Sequence, residues 1–280
     1  MLKQNQKGIS LVKLVLIFVA IVLTGMAGFF VYDRLNHHSG GSIDLSAEQV
    51  SSLPDISYFK DHKSDQFIVD MNLVQTGFPF KGKRSAAPHT GAHTQFGDDY
   101  KRWPQGGASP NNYPPVYSPV DGYVFNVKSH FSDYSKNPVD LYGLQIAFAK
   151  SDGKAWSILY SLEPFVKEPS PGFYAKFIDV KEGQKVHKGQ VIAHMYLSKD
   201  SGGGQNEHIH FQLNKDGDGQ TYAPAIFTKS VVDSFHDHWG SFGVDEIHND
   251  PHGPRFPACM GYKLSAAENP FGTGAVDCLN

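Results

Sequence analysis

Two short segments, His89-Thr90-Gly91-Ala92-His93 and Glu207-His208-Ile209-His210, place imidazoles at spacings that one metal ion can bridge. They lie about 120 residues apart in a stretch that reads as a single β-rich domain. On an extended strand residues i and i+2 share a face, so His208 and His210 project together. Gly91 lets the backbone between His89 and His93 turn sharply. Three nitrogen ligands with a fourth position left to water make a catalytic zinc site. The chain also carries 14 histidines, so close pairs arise without any metal, and H-x-H alone does not specify one.

The surrounding segments narrow the choice. Tyr117-Ser118-Pro119-Val120-Asp121-Gly122-Tyr123-Val124 is a turn-bearing strand with an Asp-Gly pair after Ser-Pro. Val180-Lys181-Glu182-Gly183-Gln184-Lys185-Val186-His187-Lys188-Gly189-Gln190-Val191-Ile192-Ala193 repeats a V-x-x-G turn pattern, and Asn206 to Leu213 closes on the H-x-H strand. In this order, from about Pro88 to Phe211, the chain resembles the lysostaphin-like zinc endopeptidases, which cut peptide cross-links in bacterial cell walls. The resemblance implies a mainly β fold, a sandwich or open barrel, holding Zn2+. By position the metal ligands would be His89, His93 and His210, with His93 standing where the family has Asp. Imidazole is a good zinc ligand, and three neutral imidazoles leave the ion its full charge, which lowers the pKa of bound water.

His208 takes the place of the family's catalytic partner of that water. A second catalytic His normally lies in a Y-x-H-L segment, and here the chain reads Leu159-Tyr160-Ser161-Leu162-Glu163-Pro164-Phe165. Leu162 or Glu163 falls at the vacant position. A Leu neither carries a proton nor stabilises an oxyanion, and loss of one such donor costs ~100- to 1000-fold in rate. Glu163 is a candidate general base if it points inward, although Pro164 suggests a re-routed loop. His194 is a further substitute.

The elements that must position these groups are short strands. The 28 Gly and 17 Pro call for many turns rather than long helices. Tyr142 to Lys150 and Ala155 to Tyr160 flank Ser151-Asp152-Gly153 as a hairpin, and Gln66 to Met71 alternates loosely as another strand. Asp44 to Leu53 is expected to form one or two helical turns ended before Pro54. Tyr100 to Pro115 reads as a long surface loop beside the metal site, and Ser201 to Gly204 as a flexible rim.

The run from Leu14 to Tyr32 carries no charge and is long enough to span a bilayer. Lys3, Lys7 and Lys13 precede it, placing the N-terminus in the cytoplasm and the rest outside. A cleaved signal peptide ending near Gly25-Met26-Ala27 is the alternative, and both export the domain. Lys7-Gly8-Ile9-Ser10-Leu11-Val12 is also similar to the start of type IV pilins, which are cut after the Gly, but Lys13 stands where those chains usually have Glu. Cys259 and Cys278, in an exported chain, favour a disulfide that closes a C-terminal loop, worth roughly 3 kcal/mol. A net charge of −3 with no basic stripe argues against nucleic acid.

The expected organisation is a cytoplasmic stub and anchor over residues 1–35 and a linker over 36–55. The metallopeptidase-like domain follows over 56–226, and a disulfide-closed irregular extension over 227–280. That extension holds His236, His238, His248 and His252, either a second metal site or a solvated tail. Three functions remain open. One is a single-pass inner-membrane zinc hydrolase whose periplasmic or extracellular domain acts on peptidoglycan peptides. Another is an inactive member of the fold that binds wall or regulates another wall hydrolase through envelope partners. The third is a minor pilin-like component of a pilus or secretion apparatus.

Overall fold

The computed structural model describes residues 45–78, 91–96, 103–104, 109–133, 139–198, 207–218 and 221–238. His89, the apolar run Leu14–Tyr32, the pilin-like segment, Ser201–Gly204 and both cysteines lie outside these residues. The chain divides into Met1–Gly41 and Ser42–Asn280, and everything described belongs to the second unit.

The chain opens on helices α1 (Ala47–Ser52) and α2 (Tyr58–Asp61). The strands are β1 (Thr76–Phe78), β2 (Ala92–Gln95), β3 (Pro115–Tyr117), β4 (Gly122–Asp133), β5 (Val139–Ser151), β6 (Lys154–Glu163), β7 (Lys185–Val186), β8 (Val191–His194), β9 (His208–Lys215) and β10 (Thr221–Tyr222). Helix α3 (Lys229–His236) follows. The fold is mainly β. One sheet runs β1-β2-β9-β6-β5-β4-β7 with β10 also on β9, a second pairs β3 with β8, and the pairings are antiparallel. Among the described residues no barrel closes, and no helix is long and apolar enough to cross a membrane.

The large sheet has two unlike faces because its central strands alternate polar and apolar residues. In β9, Ile209, Phe211 and Leu213 are fully buried on one side, while His208, His210, Gln212 and Asn214 take the other. Ile158, Tyr160 and Leu162 of β6 and Leu144, Ile146 and Phe148 of β5 extend the apolar face into one core. The small sheet packs over that face: Tyr160 donates to the Tyr117 carbonyl and Tyr142 to the His194 carbonyl.

The β5–β6 hairpin turns at Asp152 and Gly153, both with positive φ (51° and 72°), the geometry that twists with the strands it joins. Helix α1 is set by a capping box between Ser46 and Gln49 and ends at Leu53, before Pro54. Leu53 then packs with Phe125, Ala147 and Ala155 on the far part of the polar face.

The helical turns expected over Asp44 to Leu53 are present as α1, within the residues assigned to the linker. Three expectations need correction. Gln66 to Met71 is not a strand: it runs as an irregular segment into a 3-10 turn at Met71–Leu73, with Phe67, Ile68 and Val69 buried in the core. Tyr113, in the expected surface loop, is buried at 1% exposure. The core also continues past residue 226, since Phe227, Val232 and Phe235 join it; residues beyond 238 lie outside the described ones.

Phe211 meets Phe67, Phe227 and Phe235 at centroid distances of 5.7, 6.5 and 6.1 Å, anchoring the histidine-bearing strand from below. Phe211→Ala should cost about 3–5 kcal/mol, read as a lowered urea midpoint. An unchanged midpoint would mean that β9 is held by its edges alone.

Candidate functional site

Strand β9 lies between β2 and β6, and the registers on its two sides stack polar residues in rows. Gln95, His208 and Glu163 form one row; His93, His210 and Ser161 form the next. Between them the row Thr94, Ile209 and Leu162 turns to the core face. Neighbouring strands are about 4.8 Å apart, so side chains in one row are in contact range.

His93 Nε2 lies 3.1 Å from His210 Nδ1. The other nitrogen of His210, Nε2, lies 3.0 Å from Gln212 Oε1, and Gln212 Nε2 donates in turn to Asn214 Oδ1 at 2.9 Å. Because the Gln212 oxygen can only accept, His210 carries its proton on Nε2 and turns the lone pair of Nδ1 toward His93. The His208 ring stacks on His93 at 4.2 Å with an interplanar angle of 16°, and the Phe165 ring lies 5.2 Å from it. His208 Nε2 is 3.3 Å from Glu163 Oε2, and both side chains are buried.

Tetrahedral zinc with Zn–N bonds of about 2.0–2.1 Å sets its ligand nitrogens about 3.3 Å apart. The facing nitrogens of His93 and His210 would need to separate by only about 0.2–0.3 Å to share such an ion. Two imidazole nitrogens at this separation are compatible in distance with a shared zinc, and one is oriented from behind by an amide. Among the described residues no three His, Cys, Asp or Glu side chains gather into a complete metal cage. The third nominated ligand, His89, lies outside those residues.

Burial pushes the Glu163 carboxyl up, but the His208 charge and hydrogen bond, the His210 charge and the Ser161 hydroxyl hold it down to about 2. Charge on the neighbouring imidazoles therefore favours the ionised form of Glu163 against the opposing effect of burial. Immediately after it the chain turns through Phe165, a bulky residue with φ 53°, a conformation costing about 1–3 kcal/mol. That turn carries the Phe165 ring to His208. The chain turns sharply after Pro164, yet Glu163 stays inside, because the change of direction comes after β6 has ended.

Of the two candidates for the vacant catalytic position, Leu162 is in the core and Glu163 faces His208. His194 belongs to the small sheet, its Nδ1 2.9 Å from Asp179 Oδ2. His238 turns its Nδ1 to the Ser234 carbonyl at 2.7 Å, at the end of α3; His248 and His252 lie outside the described residues. Gly91 lies at a bend, but its φ is not left-handed. What requires glycine is space, since a Cβ there would sit 2.2 Å from His210 Nε2. Gln212, Gln95 and Phe165 were not singled out from the sequence. Extending the i+2 rule one step past His210 would have found Gln212, and the alternation Ser157, Leu159, Ser161, Glu163 would have separated Glu163 from Leu162. Phe165 left no such signal.

No protein-family model matches the chain, and a search of curated proteins finds no match to it.

Gly91→Ala should drive the His210 ring away from His93, which imidazole nitrogen NMR would register as altered His93 and His210 signals. Unmoved signals would show that the neighbouring backbone yields instead. Glu163 titrates near 4.5 when unfolded and near 2 when folded, so its contribution is present above the first value and lost as pH falls toward the second. Between pH 5 and pH 3 the native protein should therefore lose stability in urea more steeply than Glu163→Gln. Parallel losses would mean that the ion pair is not formed.

Proposed function

We propose that this chain is a lysostaphin-like zinc hydrolase, a β-sandwich or open barrel acting on the peptide cross-links of peptidoglycan. The observation that carries the proposal is the 3.1 Å approach of His93 Nε2 to His210 Nδ1, with His208 and Glu163 one row away. His89, His93 and His210 would hold the ion. Bound zinc would polarise the scissile carbonyl and acidify water. The chain's own groups do the rest. Gln212 keeps the Nδ1 lone pair of His210 available. His208 is the proton handler, taking a proton from the attacking water and giving it to the leaving amine.

The apolar run at Leu14–Tyr32 supports tethering to a bacterial inner membrane, with this domain on the far side where the wall lies. The net charge of −3 with no basic stripe argues against a nucleic-acid partner.

A second reading has one observation in its favour. Strand β6 offers Ser161 and Glu163 to the site and no imidazole, so the second catalytic His of the resemblance has no replacement of its own kind. On that reading the domain binds wall peptides, or regulates another wall hydrolase, without cutting.

The full-length chain should hold about one zinc, lost in His210→Ala and kept in His238→Ala. Zinc retained in His210→Ala would sink the assigned site. With zinc bound, release of amino groups from cross-linked peptidoglycan, abolished by His208→Ala, supports the hydrolase. Wall binding without release supports the second reading.

A further inference from the structure

Beyond the histidine rows the polar face carries a buried amide that the fold leaves half used. Gln145 of β5 is 4% exposed. Its Oε1 accepts from the Ser157 hydroxyl at 3.1 Å. Its Nε2 is sealed from solvent and finds no hydrogen-bond acceptor among the described residues. We propose that Gln145 is a substrate-binding residue: its amide donates to a backbone carbonyl of an extended wall peptide, about three or four residues from the bond that is cut. The proposal rests on the wall-peptide reading of the site and adds where that peptide is gripped at a distance.

The cost of such an amide argues for a ligand. Burying a donor without an acceptor loses its bonds to water and gains none in exchange. A methionine is similar in length and would fill the same space without that loss. The Ser157 bond also sets the amide plane. With Oε1 turned to Ser157, Nε2 diverges from it and presents its hydrogens elsewhere.

The strand registers put Gln145 on a path from the histidine pair. Gln145, Leu159 and Gln212 form one row, and Gly143, Ser161, His210 and His93 form the next. Gln145 is therefore one row and two strands from His210, roughly 12 Å by strand geometry. An extended peptide covers that span in three or four residues at about 3.4 Å each. The floor between is low at Gly143, where a Cβ would lie 2.1 Å from the Tyr160 carbonyl oxygen. His210 and Leu159 are both partly exposed, so the strip is reachable from outside. Reaching Nε2 takes a side chain turning aside, and Leu159, the cross-strand partner of Gln145, is placed to do so. One row further on, Ala147 packs with Leu53 at the end of α1, so the polar strip ends on the Ser157–Gln145 pair.

The test uses the full-length chain carrying His208→Ala, so that bound peptide is not consumed. The probe is a soluble cross-linked pair of wall stem peptides. Adding Gln145→Met should weaken its binding about 3- to 10-fold. A probe trimmed to two residues on each side of the cross-link should bind equally with and without the amide. In the otherwise native chain, Gln145→Met with Ser157→Ala should match or exceed the native urea midpoint. The bond lost there is offset by the orphaned amide end removed with it.

A lowered midpoint would make the amide a structural partner and overturn the proposal. So would a trimmed probe that loses as much affinity as the long one. Equal binding of the long probe with and without the amide would overturn it and leave the wall-peptide reading intact. No binding of the long probe to the native or the His208→Ala chain would end that reading, and the proposal with it.

Discussion

The register of β9 between β2 and β6 is the constraint on which the site depends. His210 pairs with His93 on one side and Ser161 on the other, and His208 with Gln95 and Glu163. A slip of one residue would turn both histidines into the core and bring Ile209 and Phe211 out. The core resists that slip strongly, because Ile209, Phe211 and Leu213 are fully buried and would each lose about 1.5–3 kcal/mol of burial. The chemistry on one face is thus specified by packing on the other.

The polar rows are held in place by pairing rather than by exposure. His93, His208, Glu163, Ser161 and Gln212 are all below a tenth exposed, and polar groups taken from water at that depth cost stability unless each finds a partner. The partners run along the strands as well as across them: His210 to Gln212 to Asn214 down β9, and His208 to Glu163 across to β6. A low-dielectric setting strengthens each of these contacts and penalises any orphan, which narrows the rotamers and tautomers open to the rings.

Much of this was legible in the sequence, for reasons particular to each element. The hairpin at Asp152-Gly153 announced itself through turn chemistry, and the common face of His208 and His210 through the two-residue period. What the sequence could not supply was which strand lies beside which. The row that joins Gln95, His208 and Glu163 draws on residues scattered over three strands, and local pattern says nothing of their pairing. The segment Gln66 to Met71 misled for a related reason. Its apolar residues are buried, but by an irregular run filling the core beside Phe211 and Phe227 rather than by strand pairing. Gly91 misled differently, as its conformation is ordinary and its need for hydrogen in place of a methyl group comes from a ring more than a hundred residues away.

On the lysostaphin-like reading, the two departures from the family pattern compensate each other. The pattern puts a carboxylate among the metal ligands and an imidazole on the β6 strand. Here, on that reading, His93 would stand in the ligand position, and the carboxylate facing His208 comes from Glu163 on β6. The site would then keep one negative charge, beside His208 rather than among the metal ligands. A carboxylate bound to zinc would neutralise part of its charge directly, whereas one placed against His208 leaves the ion more acidifying and spends its field on the proton handler. Each change alone would unbalance the site, since a third imidazole without an added anion leaves excess charge buried, and a second buried anion without a lost one leaves excess of the other sign. Taken together, on that reading, they would exchange roles between two strands that both border β9.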